Sequence, residues 1–184
     1  MTDYLSKITN GSIKEKIKLA GDIVRIYGPN FKKDNVISKL LSRYDQAIQD
    51  TKTLMVKIGL VQICAHCATN TPGGSCCGKG IEDWYDVPVL MFNLLLDKPI
   101  ITDPPKPEDC LFLGPHGCRL WARHYFCVNY LCHRIYEKLS YQEIERLKSQ
   151  AGKELFISWQ LEQLFIKKLT QLEKGKKPGS MPWI

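Results

Sequence analysis

Eight cysteines lie between Cys64 and Cys132 in the spacing C-x2-C-x8-C-C-x32-C-x7-C-x8-C-x4-C, and no cysteine lies outside that window. The set is Cys64, Cys67, Cys76, Cys77, Cys110, Cys118, Cys127 and Cys132. A C-x2-C pair puts two thiols on one tight turn, matching the bite of tetrahedral zinc or of adjacent irons in an iron–sulfur cluster. Alone it would compete with thioredoxin-like redox chemistry, but six further cysteines point to metal ligation by all eight. In extended backbone the vicinal pair Cys76-Cys77 would aim its side chains to opposite sides, which predicts that the eight thiols divide between two centres. Two four-coordinate zinc sites, two four-iron clusters, or one cluster with free thiols all satisfy the count.

The setting favours metal over disulfides. Met1-Thr2-Asp3-Tyr4-Leu5-Ser6-Lys7 has an acid, a lysine and no apolar stretch, so it does not read as a secretory leader. The longest apolar run without charge, Val87 to Leu96, is about half the length a bilayer requires. The expectation is a cytoplasmic protein without membrane insertion, where paired cysteines favour metal or redox chemistry. The chain has 184 residues and 44% hydrophobic content, enough for one domain with a real core. Its formal charge of +7 resides in the flanks: residues 1–63 carry 11 Lys/Arg against 6 Asp/Glu, residues 64–132 carry 5 against 7, and residues 133–184 carry 10 against 6. Metal-bound thiolates would add negative charge in the middle, so nucleic acid is not an expected partner, whereas a protein partner remains open.

The flanks read as helices. Ser12-x-x-Glu15 is a capping box, and Ile13, Ile17, Ala20, Val24 and Tyr27 recur at helical spacing, which predicts a helix over 12–27 ended by Gly28-Pro29. A second begins after Asp34, with an apolar stripe of Ile37, Leu40, Leu41, Tyr44, Ile48, Thr51, Met55 and Ile58. Cys64 to Gly80, rich in glycine, reads as loop. Pro88 starts a short buried helix over Val89–Leu96, and Asp103-Pro104-Pro105-Lys106-Pro107 reads as a stiff connector. Leu111-Phe112-Leu113 and Arg119-Leu120-Trp121 flank Gly114-Pro115-His116-Gly117, a small β-hairpin with Cys110 and Cys118 near its ends. Ser140-x-x-Glu143 opens a C-terminal helical region that Gly152 interrupts and Leu161, Leu164, Phe165, Leu169 and Leu172 continue, before a basic tail from Lys174 to Gly179. The expected fold is mainly α: one domain over 1–184, with an N-terminal helical region (1–63), an irregular metal-binding module (64–132), C-terminal helices (133–173) and a tail (174–184).

Cys110-Leu111-Phe112-Leu113, Gly117-Cys118-Arg119-Leu120-Trp121, Arg123, Cys127, Tyr130 and Cys132, preceded by the C-x2-C and C-C pairs, resemble the YkgJ cysteine-cluster family, described as a zinc- or iron-chelating domain. The resemblance covers residues 64–132. It departs from the family pattern in the longer gap between Cys67 and Cys76, and in Arg123-His124 and Cys127-Val128, where the family has Arg-Pro and Cys-Arg. It implies a cofactor that is an iron–sulfur cluster or Zn(2+). Some relatives act with, or as, protein-modifying methyltransferases, including flagellin lysine methylases. The alternatives to a redox or accessory metal protein are therefore a cluster-dependent enzyme of methyl-transfer type and a zinc-stabilised interaction module. An all-thiolate set without an open position argues against catalytic zinc.

The other polar residues have ordinary readings. His66 and His133 adjoin ligand cysteines, and with eight thiols available they are expected beside the metal's sulfurs rather than on the metal. His116 and His124 read as turn and aromatic-packing residues. Arg119 and Arg123 are the candidates for balancing thiolate charge. Glu82, Asp83 and Asp86 read as a loop before a helix. Gly78-Lys79-Gly80 is too short for a dinucleotide fingerprint, and Ala68 after Cys67 excludes haem attachment.

Overall fold

The computed structural model describes residues 10–70, 76–104 and 106–174. The fold is mainly α with one two-stranded hairpin. Helix α1 (Ile13–Lys33) opens on the expected capping box: Ser12 N–H donates to Glu15 Oε2 at 2.8 Å, and Glu15 N–H donates to Ser12 Oγ at 3.4 Å. It does not stop at Gly28-Pro29 but runs through Pro29 for another turn. An interior proline costs a helix a hydrogen bond. Phe31 offsets that cost because it is buried and meets Phe165 edge-on at 4.9 Å. Asp34 ends α1 and starts α2 (Asn35–Lys57), accepting from Val36 and Ile37 N–H at 3.0 and 3.2 Å. Lys168, from the far end of the chain, reaches the same carboxylate at 2.7 Å.

The stripe expected on α2 is the buried one at Ile37, Leu41, Tyr44, Ile48 and Thr51. Gly59, at φ +75°, turns the chain into α3 (Leu60–Asn70). Here the loop expectation fails for Cys64 to Asn70. Leu60, Ile63, Cys64 and Cys67 share a helical face, and the glycines and proline that suggested loop all lie after residue 70. Residues 71–75 lie outside the described segments, as do Pro105 of the connector, the Leu172 side chain and the tail from 175 onward.

Ile81–Trp84 form a single 3₁₀ turn, followed by α4 (Val87–Leu95), capped by Asp86 accepting from Val89 N–H at 3.1 Å. Pro88 occupies its first turn, as expected, and the helix is buried almost throughout. Strands β1 (Leu113–Gly114) and β2 (Gly117–Cys118) make the hairpin, with Leu113 opposite Cys118. It is shorter than its apolar flanks suggested, and Cys118 lies within the second strand. Two short helices that periodicity did not suggest follow: α5 (Tyr125–Asn129) and α6 (His133–Lys138).

The last helix, α7 (Tyr141–Lys174), begins on the Ser140–Glu143 capping box and passes through Gly152 without a break. A glycine inside a helix costs about 1 kcal/mol. Burial of Leu147, Ala151, Ile157, Leu161, Phe165 and Leu169 along one face outweighs it. α7 packs lengthwise on α2, α1 packs on α4, and the main core forms where Tyr44, Phe92 and Phe165 meet at ring distances of 5.8 and 5.4 Å. A smaller core of Leu60, Ile135, Leu139, Ile144 and Leu147 joins α3, α6 and the start of α7. No helix among the described residues is long and apolar enough to cross a membrane.

One buried polar side chain ties the irregular segment to the helices. Asn93 of α4 is fully buried, its carbonyl accepting from Trp121 N–H (2.8 Å) and Ala122 N–H (3.0 Å). Its amide donates to the Ala122 carbonyl at 2.9 Å and to the Val89 carbonyl at 3.0 Å. An isosteric apolar replacement strands two backbone donors in the core at about 1–3 kcal/mol each. We expect Asn93→Leu to lower the urea midpoint by the equivalent of about 3 kcal/mol, whereas a change under about 0.5 kcal/mol would mean that the clamp carries no stability.

Candidate metal centre

Four separate stretches supply the cysteines. α3 carries Cys64 and Cys67 one turn apart, and a turn carries Cys76 and Cys77. The hairpin region supplies Cys110 and Cys118, while α5 and the N-terminus of α6 supply Cys127 and Cys132. All eight line one cavity of about 270 Å³, walled otherwise by apolar side chains such as Met55, Leu60, Ile63, Leu113, Phe126 and Ile135. None of the eight is in a disulfide. Among the described residues, no three His, Cys, Asp or Glu side chains gather at one point as a ligand set for an ion. The thiols are distributed around the cavity wall.

Cys76 and Cys77 correct one expectation. They sit in a turn rather than a strand, so their side chains do not alternate, and the two thiols hydrogen-bond each other. That contact pulls Cys76 down to about 7 and pushes Cys77 far up. Burial raises Cys64 and Cys127 to about 11 and Cys110 to about 12. Desolvation disfavours a bare thiolate. Ligation by a cation reverses that, since a coordinating thiol is deprotonated outright.

A cation is built into the wall. Arg123 lines the cavity and is 8% exposed. Burial works against its charge, but Glu154, Cys118, Tyr85 and Cys127 more than offset this and hold the guanidinium above its ordinary value. Its Nε has no hydrogen-bond partner among the described residues, and one Nη contacts the Met55 sulfur at 3.4 Å. The buried Tyr85 hydroxyl lies beside Cys118 and Cys127, and its contact with the Cys127 thiol favours that thiol's ionised form. A buried guanidinium and hydroxyl beside the thiols fit a site whose sulfurs carry negative charge, because a thiolate accepts where a thiol scarcely does. The donor set, the cavity and the buried guanidinium therefore all suit a sulfur-bound metal.

Of the two arginine candidates, only Arg123 is placed to act. Arg119 lies over Gly114, where a Cβ would come within 2.7 Å of its Cγ, and it donates to the Asp103 carbonyl outside the cavity. His66 is exposed and pairs with Asn70, and His133 is exposed. His124 caps α5, its Nδ1 accepting from Phe126 N–H at 3.3 Å. His116, expected in the turn, is also on the cavity wall. Glu82 accepts from Gly80 N–H and Asp86 caps α4, so that acidic run is structural.

Two site residues escaped the sequence reading. Lys52 lines the cavity with its ammonium 4.1 Å from the centroid of the Trp121 ring, and burial lowers it to about 8. Nothing in its position beside the α2 stripe signals this. Glu154, fully buried and acting electrostatically on Arg123 without an ion pair to it among the described residues, was legible: it sits at helical spacing between Ala151 and Ser158 on an otherwise apolar face. Burial raises its carboxyl above the ordinary 4.5, against the pull of Arg123, Thr51 and Lys52.

No family model, curated protein or solved structure matches the chain.

Removing one partner of a buried charge pair costs about 3–5 kcal/mol, while replacing both with apolar groups is close to neutral. We expect Arg123→Leu to destabilise by about 3 kcal/mol or more and the double variant with Glu154→Leu to recover most of it, as read by chemical denaturation. The pH dependence follows from Glu154. Its folded value lies above 4.5, so the folded state holds the proton more tightly and stability falls as pH rises through that value. Loss of Arg123 raises the folded value further, so the deficit of Arg123→Leu should be smallest near pH 4.5 and grow above it. A deficit independent of pH, with no recovery in the double variant, would contradict the pairing.

Proposed function

We propose that this protein holds metal through its eight cysteines, as iron–sulfur cluster or zinc, with the cluster ahead of zinc. The observation that carries the reading is that ligand candidates from four stretches of chain all face one cavity that also contains a buried guanidinium. Disulfide-forming thiols have no need of a shared cavity or a buried cation, whereas a thiolate-bound metal centre needs its ligands around one space and is favoured by a nearby positive charge. The residues proposed as ligands are Cys64, Cys67, Cys76, Cys77, Cys110, Cys118, Cys127 and Cys132. A bound cluster would supply one-electron redox chemistry, and zinc would supply folding energy. Arg123 would oppose the charge of the sulfurs, and the apolar wall would restrict water. The reading places the protein in a reducing compartment, where the thiols stay free to ligate.

The cluster-dependent enzyme is the second reading. A cavity of about 270 Å³ approaches the lower end of small-molecule pockets, roughly 300 Å³, so a small ligand beside the metal is compatible with its size.

The test is anaerobic purification followed by a visible spectrum and by iron, acid-labile sulfide and zinc content per chain. A brown protein with matched iron and sulfide supports the cluster. A colourless protein with zinc bound supports the structural form, and its helical content should fall on chelation. A protein that takes up neither metal under reducing conditions overturns the proposal.

A further inference from the structure

The eight thiols share a cavity, but they do not share a scaffold. Cys77, Cys110, Cys118 and Cys127 pack against the main core. Backbone hydrogen bonds lock this group: Cys110 N–H donates to the Cys77 carbonyl at 2.8 Å, Gly78 bridges Asp109, and Leu113, which is paired with Cys118, donates to the Cys110 carbonyl at 2.9 Å. Cys64 and Cys132 instead pack against the smaller core between α3 and α6. Cys67 lies one helical turn from Cys64 and receives Arg134 Nη1 on its sulfur at 3.5 Å. The thiols acting electrostatically on Cys64 are chiefly Cys76, Cys132 and Cys67, and those acting on Cys77, apart from its neighbour, are Cys118 and Cys127. Each group thus has its own wall; Arg134 contacts the first at Cys67, while Arg123 acts on Cys118 and Cys127 of the second and also on Cys64, and Cys76 reaches Cys127 across the boundary.

We infer that the cavity contains two metal sites of fixed membership: an outer site of Cys64, Cys67, Cys76 and Cys132, and an inner site of Cys77, Cys110, Cys118 and Cys127. The vicinal pair is the seam between them. The two differ in exposure. Cys76 is the one exposed cysteine, and Cys110 is buried. The inner site is braced by backbone hydrogen bonds and the main core, so its metal is the structural one. The outer site stands on helices joined by a small core and opens to solvent at Cys76, so its metal exchanges first and is the one that meets a ligand, reductant or partner.

This rests on the metal-binding reading, and the experiment separates the two. Metal per chain is measured in the reduced, metal-loaded full chain and in paired serine variants. Cys64→Ser with Cys132→Ser, or Cys110→Ser with Cys118→Ser, should each leave half of the wild-type metal. The mixed pair Cys64→Ser with Cys118→Ser should leave essentially none. Chelator-driven release from the wild type, which does not depend on a variant folding, should show two phases of equal amplitude. Cys76→Ser, at the exposed position, should remove only the fast phase. Equal loss from matched and mixed pairs, or release in a single phase, overturns the division while leaving metal binding intact. A wild-type protein that binds no metal overturns both.

Discussion

Thiols scattered over 69 positions of sequence have to be held around one space, and irregular backbone cannot do that by its own conformational preference. What does it here is the anchoring of the cysteine-bearing segment to a helical frame. Asn93, projecting from the buried helix α4, accepts two consecutive backbone N–H groups at Trp121 and Ala122 and returns a donor to the same strand of chain. That fixes the segment between Cys118 and Cys127. Trp121 extends the grip outward, its indole N–H donating to Asp45 on α2 at 2.7 Å. From this anchor the hairpin carries Cys118 back toward Cys110 on one side, and α5 carries Cys127 forward on the other.

The same anchor sets the electrostatics. Arg123 follows the clamped residues directly, so its guanidinium is committed to the cavity wall rather than to solvent. A lone buried charge is costly, and Glu154 on α7 supplies the opposite charge, while Lys52 on α2, of the same sign as Arg123, acts on Glu154 from the other long helix. Burial meanwhile resists ionisation of Cys64, Cys110 and Cys127. The resulting cavity discourages free thiolates while carrying fixed positive charge, and metal-bound sulfurs resolve both conditions at once. Arg123 thus sits in the chain between the Asn93 clamp and Cys127, on the wall of the cavity that the cysteines line.

The helical frame was largely legible in the sequence because apolar periodicity reports burial on long amphipathic helices. The stripes of α2 and α7 are the buried faces, and both serine-glutamate capping boxes start helices. The misses share a cause. Local signals at Gly28-Pro29 and Gly152 said stop, but each helix continued because tertiary burial of Phe31, or of the residues beyond Gly152, outweighs a local cost of one to a few kcal/mol. The turn at Cys76-Cys77 was misjudged because alternation holds only in extended backbone. At the candidate site, the eight cysteines were visible, but Asn93, Lys52 and the choice of Arg123 over Arg119 depend on contacts between residues 28 to more than 60 positions apart. No local pattern encodes those.

In the proposed centre, sulfur alone is the ligand of the bound metal. X-ray absorption at the metal edge of the reduced, anaerobically purified protein measures that directly. The prediction is a first shell of sulfur alone at about 2.3 Å, four neighbours per metal atom, with inorganic sulfide among them if the metal is iron. A first shell of nitrogen or oxygen at about 2.0–2.1 Å would place the metal on other side chains and contradict the thiol cavity as its site.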